Sequence, residues 1–547
     1  MLNRYVVGLL PVIVLLGACS RGSEPEAASA PADNLDERAA DVALIPEEGD
    51  LIRQPLATIA AALKNGDTTS EALVERYLAR IDAVDRGGPR LQSIIALNPD
   101  ALADARARDQ QRADGEDLGP LHGVPVLLKD NIESLDNVAT TAGAMALSDN
   151  VTGRDAPLVA GLRAAGAVIL GKTNLSQWAN FRSSDSISGW SALGGQVRNP
   201  HMLDRSPCGS SSGSGAAVAA WLGAAAVGTE TNGSIICPSQ VNGIVGFKPT
   251  VGLVSQQFIV PISSSQDTAG PMTRSVTGAA LMLDAMDTAD VDYVAALDAN
   301  ALAGARVGVL RFAEGSNDEV IKHFNAVVET LEQAGATLVE IDEFERDPNY
   351  GRASFDVLLY EFKATLNEYL ADTPEAVSAR TLDDVIAFNE AQSERELALF
   401  GQDLMEQAAA KGDLDDARYA EALELAQKVA GQDGLDAFFA EHELDVVISP
   451  SGPVASRIDP INGDVWPAWA GAGWMAAVAG YPHATVPMGT VHGIPVGVSF
   501  MGTSGDDSRV LSLAFAYEQL SQRLPAPRFL SSAMDRAEIA EAMTAPK

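Results

Sequence analysis

The sequence has little cysteine, histidine, aromatic content or positive charge. Its 547 residues include three cysteines and six histidines, and no group of cysteine, histidine and carboxylate residues has the spacing of metal ligands. Only 38 basic residues stand against 74 acidic ones, so the net charge of −36 makes binding to a phosphate backbone unfavourable. We therefore expect no metal, no cofactor and no nucleic-acid partner.

Apolar residues, by contrast, are plentiful. The composition of 46% hydrophobic and 20% charged residues is that of a globular protein with a large core, which excludes global disorder. The length exceeds that of most single cores, which alone would suggest two or more domains. No linker rich in Gly, Pro or Ser divides residues 51–540, so we predict that they form one domain.

The first apolar run, Tyr5 to Leu16, is too short to span a bilayer comfortably, because a spanning helix needs about 20 apolar residues. It follows Arg4 and ends in Leu-Gly-Ala-Cys19, the pattern of an export signal. This ending resembles the lipobox of bacterial lipoproteins, which implies a signal peptide over residues 1–18 and lipidation of Cys19. The alternative is an ordinary secretory signal. Ser20, in place of an aspartate, favours the outer membrane and a position in the cell envelope that faces the periplasm.

Residues 19–50 are predicted to be a disordered acidic tether. From Ser20 to Asp50 the chain is rich in Ala and Pro, carries nine acidic and two basic residues, and has no hydrophobic period. Contact with the membrane would then be through the lipid anchor alone. Cys208 and Cys237 could form a disulfide in an exported protein, but their spacing leaves this open.

The folded region predicts an α/β architecture. A capped amphipathic helix is expected over residues 68–84, with Thr68 placed three residues before Glu71. Helix-compatible stretches separate several short apolar runs that are typical of strands buried on both faces. These runs cover residues 124–129, 167–171, 305–310, 336–341 and 445–450. Residues 358–439 are predicted to be helical and almost free of strands.

A serine-rich loop, "SPCGSSSGSGAAVAAWLG", is the first candidate for chemistry, and three interpretations compete for it. It could be a flexible turn that caps a helix. It also fits the G-x-S-x-G nucleophile elbow, with Ser211 as nucleophile and His483 or His492 as its base. The elbow requires a preceding strand, whereas "RNPHMLDRSPC" is typical of a loop. A phosphate-binding loop is disfavoured because the Gly-Lys-Ser/Thr ending is missing.

The third interpretation joins this loop to four other motifs. In order along the chain stand "HGVPVLLKDN", "GKTNLSQWAN", "CGSSSGSGAAVAA", "GTETNGSI" and "GFKPTVGLVS". From Gly123 to Met272 the sequence thereby resembles the amidase signature family of serine hydrolases, and weaker resemblance covers nearly all of the mature chain. The resemblance implies a single large α/β domain in which helices cover both faces of a mixed, twisted β-sheet.

The resemblance also implies the catalytic residues. The family's lysine falls on Lys129, its bridging serine falls on Ser210 after a cis peptide bond at Gly209, and its nucleophile falls on Ser234. The oxyanion hole then consists of successive backbone N–H groups, and it is assigned to Thr231, Asn232, Gly233 and Ser234. Family members commonly have Gly or Asp at position 232, so asparagine there affects the expected substrate preference near the scissile bond.

Lys129 can act as a base only if its amine is neutral. Its reference pKa of about 10.4 must fall to about 7, and the apolar run before Lys129 offers the necessary burial. Asp130 is expected to point away, because neighbouring strand residues face opposite sides. Lys172 and Lys248 are expected to be structural or solvated, and His122 to be a hydrogen-bonded turn residue.

The expected activity is hydrolysis of a carboxamide through an acyl-enzyme on Ser234, with a small-molecule or peptide amide as substrate. The motifs are most similar to those of bacterial peptide amidases, and aryl acylamidases or hydrolases of linear or cyclic amides are the alternatives. The family's glutamyl-tRNA amidotransferase member is disfavoured for an exported acidic protein. A non-catalytic binding lipoprotein is a further alternative, which the joint presence of Lys129, Ser210 and Ser234 argues against. Trp466, Trp469 and Trp474 could line an apolar pocket or belong to the core. The sequence does not indicate the oligomeric state.

Overall fold

Eleven strands form one mixed sheet in the computed structural model, which describes residues 43–287, 289 and 291–545. The strand order is β1-β3-β2-β6-β8-β7-β12-β13-β11-β9-β10, and β4 and β5 form a separate hairpin. The strands are β1 Ile94–Leu97, β2 Pro125–Lys129, β3 Val168–Thr173, β4 Trp190–Ser191, β5 Gly195–Gln196, β6 Ala225–Glu230, β7 Val245–Lys248, β8 Thr268–Thr273, β9 Arg306–Leu310, β10 Thr337–Ile341, β11 Val446–Pro450, β12 His483–Val491 and β13 Ile494–Met501.

Parallel pairing joins β3, β2 and β6 in one half of the sheet, and β11, β9 and β10 in the other, while the strands between them pair antiparallel. One large apolar cluster surrounds this sheet. The predicted α/β fold with a mixed sheet is therefore confirmed. All five apolar runs contain strands, but β10 is a half-exposed edge strand, so its predicted burial on both faces is wrong.

The α-helices cover the sheet and form a second layer on one flank. They span Leu56–Asn65, Ser70–Arg80, Ala101–Ala113, Pro157–Ala164, Ser212–Ala219, Ile236–Asn242, Val276–Met286, Asp318–Gln333, Tyr350–Ala371, Leu382–Ala391, Ser393–Glu396, Asp403–Ala409, Ala417–Gln427, Asp436–His442, Gly473–Ala479, Asp507–Ser521 and Ala537–Ala542. The first predicted helix begins at Ser70 rather than at residue 68, because Thr69 rather than Thr68 accepts the capping hydrogen bond, from the N–H of Ala72.

The strand-poor segment is helical from Tyr350 to His442, as predicted. Its first helix packs Phe362 edge-on against Phe181, with 5.0 Å between ring centroids. Both residues belong to a second apolar cluster beside the sheet. Within the described residues, no helix is both long and apolar enough to cross a bilayer. The helical layer packs against the loop that follows β3.

The predicted signal peptide, Cys19 and most of the predicted tether lie outside the described residues. The last residues of that tether, 43–50, hydrogen-bond to the folded domain. The Arg80 guanidinium donates to the carbonyl oxygens of Ala43 and Leu44, at 2.9 and 2.8 Å. The Asp50 carboxylate accepts from the N–H of Ile52.

Sheet topology brings three loops to one edge. The parallel strands β2 and β6 both end there, at Lys129 and Glu230, and the antiparallel strand β8 begins there with Thr268 opposite Glu230. Loops at the carboxyl ends of parallel strands commonly carry the functional groups of open α/β sheets. This edge therefore receives the lysine, the turn with Ser234 and the loop that ends in Asp267.

Candidate active site

The Lys129 amine lies at the end of β2 and is completely buried. Its Nζ atom is 2.7 Å from the Ser210 Oγ atom, 2.8 Å from the Thr229 hydroxyl oxygen and 3.3 Å from the Thr229 carbonyl oxygen. Asn131 donates a further hydrogen bond to the Thr229 hydroxyl, at 3.0 Å. A neutral amine has two N–H donors and one lone pair, so it can donate to both Thr229 oxygens and accept the Ser210 proton.

Burial lowers the pKa of Lys129 from 10.5 to about 7, although the negative charges of Asp267 and Glu230 act in the opposite direction. A change of this size disfavours the ammonium form by about 5 kcal/mol. Asp130 points to the other side of the strand, where Thr141 donates to its carboxylate, and it faces Lys172. The prediction that Asp130 does not hold Lys129 in the charged form is therefore confirmed.

The other candidate bases have structural partners. Lys172 is buried and donates to the Ile132 carbonyl and the Thr140 hydroxyl, and the buried Lys248 donates to the Pro249 carbonyl. His122 contacts the Arg108 carbonyl through its Nε2 atom, at 2.9 Å. The expected structural roles of these residues agree with their contacts.

Ser210 follows a cis peptide bond at Gly209, as the resemblance implies. The chain is tightly enclosed there, because a Cβ atom on Gly209 would lie 2.2 Å from the Ser176 hydroxyl oxygen. Ser210 is fully buried, and its carbonyl accepts a hydrogen bond from the N–H of Ser176. A side chain at position 209 would require the Ser176 hydroxyl to move, so the small size of glycine suits this position.

Ser234 lies in the turn between β6 and the helix Ile236–Asn242, and it is partly exposed. Its carbonyl accepts from the N–H of Ser211, at 3.2 Å, which joins the turn to the serine-rich loop. The buried Glu230 carboxylate accepts from the N–H groups of Ile235 and Ile236, at 2.7 and 3.0 Å. Charge-assisted bonds of this kind at a helix start hold the turn in place.

The residues assigned to the oxyanion hole, Thr231 to Ser234, form this same turn. The Thr231 hydroxyl donates to Asp267, at 2.6 Å, and Gly233 has a positive φ of 82° that favours glycine. Burial raises the pKa of Asp267 to about 6. Asn232 is exposed at the tip of the turn, and its side chain is placed to contact a bound molecule.

The nucleophile-elbow alternative does not fit the structure. The buried Ser211 hydroxyl donates to the Thr229 carbonyl and accepts from the Thr229 N–H, at 3.0 and 3.2 Å, so both functions of this hydroxyl are occupied by backbone. Of the two histidines that could serve as its base, His483 has another partner, because its Nε2 atom lies 2.6 Å from the Ser499 hydroxyl. His492 is exposed in the turn between β12 and β13. Residues 206–211 are a loop without a strand, as the sequence indicates.

Ser234 opens into a cavity of about 360 Å³, which we call the serine cavity. Apolar side chains form much of its wall, and three of them are Trp466, Trp469 and Trp474, so the pocket interpretation of these residues is confirmed. Asp464 is the one acidic residue among the described residues that line it, and burial raises the pKa of its carboxyl group. Burial and the Lys248 charge lower the pKa of His483 to about 3, which leaves that residue neutral. The cavity therefore accommodates an apolar molecule with a hydrogen-bond donor or a positive charge.

Sequence reasoning missed Thr229, Asn131, Glu230, Asp267 and Asp464. Thr229 and Glu230 stand in "GTETNGS" at the end of a strand that the sequence did not predict, because two alanines, a glycine and a glutamate leave β6 without a strand pattern. Asn131 follows Lys129 by two residues and therefore shares its side of the chain. Asp267 and Asp464 approach the site from distant loops, so no local signal could have placed them there.

Cys208 and Cys237 form a disulfide, with 5.9 Å between their Cα atoms. This settles the pairing that the spacing left open. Within the described residues, no group of three or more His, Cys, Asp or Glu side chains has the arrangement of a metal site.

The chain is similar to proteins of one family over most of its length. The family model described as Amidase matches residues 72–511. The peptide amidase of Stenotrophomonas maltophilia is similar in structure, with 46% identity, a TM-score of 0.81, and coverage of 87% of this chain and 98% of that one. A probable amidase of Arabidopsis thaliana is 36% identical and covers 86% of this chain and 91% of that protein. A putative amidase of Arthroderma benhamiae is 34% identical over 86% of this chain and 82% of that protein.

Proposed function

Because this chain belongs to the amidase family and is a hydrolase of amide C–N bonds, we propose that it removes the C-terminal carboxamide of peptides through Lys129, Ser210 and Ser234. The observation that carries the proposal is the buried Lys129 amine 2.7 Å from Ser210, whose loop is hydrogen-bonded to the turn of Ser234. The similarity to a peptide amidase over nearly the full length of that protein supports the substrate class.

In the proposed reaction the Ser234 Oγ atom attacks the carbonyl carbon of the amide. Its proton passes to the Ser210 hydroxyl, while the Ser210 proton passes to the neutral Lys129 amine. Backbone N–H groups from Thr231 to Ser234 stabilise the oxyanion. Lys129 then returns a proton through Ser210 to the leaving nitrogen, because an amine leaves poorly unless it is protonated. Water, activated by the same pair, releases the acid product from the Ser234 ester.

The lining of the serine cavity supports a peptide amide over amides that carry a carboxylate. None of the described residues in that lining is a lysine or an arginine, so a substrate carboxylate near the scissile bond would lie unpaired beside Asp464. Ser188 donates to Asp464 through its N–H at 3.0 Å and its hydroxyl at 2.5 Å, which fixes the carboxylate at the cavity wall. Asp464 is therefore placed to accept from a peptide N–H or an N-terminal ammonium, while the tryptophans contact apolar side chains.

A substrate panel tests this proposal through ammonia release. We expect a dipeptide amide with a free amino group and an apolar C-terminal residue to be hydrolysed at least about a hundredfold faster, in kcat/KM, than glutamine. Asp464→Asn should raise KM for that dipeptide amide about tenfold and change KM little for the N-acetylated form, because one charge-assisted bond is lost. Asp459→Asn, in the same loop but outside the cavity lining, is the matched control. Faster hydrolysis of an anilide than of any peptide amide would favour an aryl acylamidase.

We also propose that the protein is exported and anchored through Cys19. The disulfide between Cys208 and Cys237 supports export, since such bonds persist in oxidising compartments such as the periplasm. Cells supplied with labelled palmitate should incorporate the label into the full chain, and Cys19→Ala should abolish incorporation and release the protein from the membrane fraction. Release without any earlier labelling would indicate an ordinary secretory signal.

A further inference from the structure

The disulfide joins the two chain segments that carry the serines of the proposed mechanism. Cys208 is two residues before Ser210, and Cys237 is three residues after Ser234. The bond therefore ties the loop that carries the proton relay to the helix that follows the nucleophile. The third cysteine of the sequence, Cys19, lies far away in the chain, so the site contains the one disulfide that the folded domain can form.

Hydrogen bonds and helix packing also join these two segments, because the helices Ser212–Ala219 and Ile236–Asn242 lie against each other. The Ser211 N–H donates to the Ser234 carbonyl, at 3.2 Å, and the Asn242 side chain donates to the Pro207 carbonyl, at 3.0 Å. Each of these contacts is a single hydrogen bond, and its loss costs much less free energy than breaking a covalent link. Among these contacts the disulfide is the covalent link, so it restricts the relative position of the two segments more strongly than any single hydrogen bond does.

Proton transfer between the Ser210 and Ser234 hydroxyl groups requires that the two groups lie within hydrogen-bond distance. A displacement of about 1 Å can cost a hundredfold in rate, because the transfer requires hydrogen-bond distance at the moment of attack. The two sulfur-bearing side chains also line the serine cavity, while each is otherwise buried, with 5% and 2% of its surface exposed. The cavity is thus the route by which a small thiol reaches the bond.

We propose that the Cys208–Cys237 disulfide is a positioning element of the hydrolase, and that a thiol reductant entering through the serine cavity converts the enzyme to a folded form of low activity. This inference rests on the proposed roles of Ser210 and Ser234. The hydrogen-bond partners of the Lys129 amine are Ser210 and Thr229 and include neither cysteine, so the disulfide acts through the placement of the serines.

The reduction balances with an external dithiol as the reductant. One thiolate of the dithiol attacks a cysteine sulfur and forms a mixed disulfide, and the other cysteine leaves as a thiolate. The second thiol of the reductant then displaces the remaining cysteine and closes its own disulfide. The protein gains two electrons and its sulfurs take up two protons, while the reductant loses two electrons. Reoxidation by glutathione disulfide reverses the exchange.

The test compares oxidised and dithiothreitol-reduced wild type with the Cys208→Ser/Cys237→Ser double variant. Reduction should lower kcat at least about tenfold while KM changes less than about threefold, and it should lower the rate of fluorophosphonate labelling in parallel. Circular dichroism should stay native, and glutathione disulfide should restore kcat in the wild type. The double variant should have the low kcat permanently and should not respond to either reagent.

Alkylation followed by mass spectrometry establishes how many thiols are free. A kcat within about twofold of the oxidised value, in protein with both thiols free, would overturn the inference. Loss of the native circular dichroism on reduction would also overturn it, because the bond would then maintain the fold rather than position the serines. A saturating peptide aldehyde should slow the appearance of thiols at least about fivefold, and an unchanged rate would contradict entry through the cavity.

Failure of the proposed function is distinguishable, since it would appear before any reductant is added. The oxidised enzyme would then release no ammonia from peptide amides, or the probe would label a residue other than Ser234. The labelling rate needs no amide substrate, so it reports the effect of reduction even when the physiological substrate is different.

Discussion

Ser234→Ala is expected to abolish fluorophosphonate labelling and to lower kcat by at least about 10⁴-fold, because covalent catalysis loses its nucleophile. The Ser234 hydroxyl is partly exposed in the wall of the serine cavity, whereas the hydroxyl groups of Ser210 and Ser211 are completely buried. A probe that enters the cavity therefore meets Ser234 first. Labelling, ammonia release and circular dichroism on the same preparation measure the result.

Ser211→Ala is the matched control for this experiment. It removes a hydroxyl from the same loop, but one that is bound to the Thr229 backbone on both its donor and acceptor sides. We expect this variant to be labelled at Ser234 and to lose about 1–3 kcal/mol of stability, because the Thr229 N–H and carbonyl are left unsatisfied. If Ser211→Ala abolished labelling while Ser234→Ala kept it, the nucleophile elbow would be right and the mechanism above wrong.

The parts of the fold that follow from the sequence are those with a local pattern. β2 and β3 are short, buried strands that contain branched side chains, and their apolar runs predict the strand bounds to within about two residues. The sequence did not predict β6, because its two alanines are compatible with a helix as well as with a strand. The position of β10 in the chain was predicted correctly, but its exposure was not. Whether a strand lies at the edge of a sheet depends on which strands lie beside it and not on its own residues.

The site divides in the same way. Lys129, Ser210 and Ser234 belong to motifs with fixed spacing, and the structure places the lysine against Ser210 and the turn of Ser234 against Ser211. The groups that tune the site come from elsewhere in the chain. Asp267 reaches the turn from the loop before β8, and its charge opposes the fall of the Lys129 pKa. Such long-range placement results from the sheet topology, which no single motif contains.

Lys129→Met is expected to lower kcat/KM by about 10³- to 10⁴-fold, because the amine supplies both the base for attack and the acid for the leaving group. Methionine keeps the apolar stem in its buried site and removes only the amine, so the fold should remain. Lys172→Met is the matched control in the neighbouring strand β3. Its amine faces Asp130 and contacts the Ile132 carbonyl, so this variant should lose stability while kcat/KM per folded molecule changes less than about tenfold.

The pH dependence of the wild type tests the same amine without a mutation at the site. Only neutral Lys129 accepts a proton, and its pKa is about 7, so kcat/KM should rise about tenfold per pH unit below 7 and level off above it. The negative charge of Asp267 raises this pKa, so Asp267→Asn should lower it and move the rise in kcat/KM to a lower pH. If kcat/KM of the wild type rose near pH 4 instead of near pH 7, a group other than Lys129 would control the reaction. The same would follow if the rise moved to a higher pH in Asp267→Asn. A shift in the predicted direction, together with the loss of activity in Lys129→Met, would assign the titrating base to position 129.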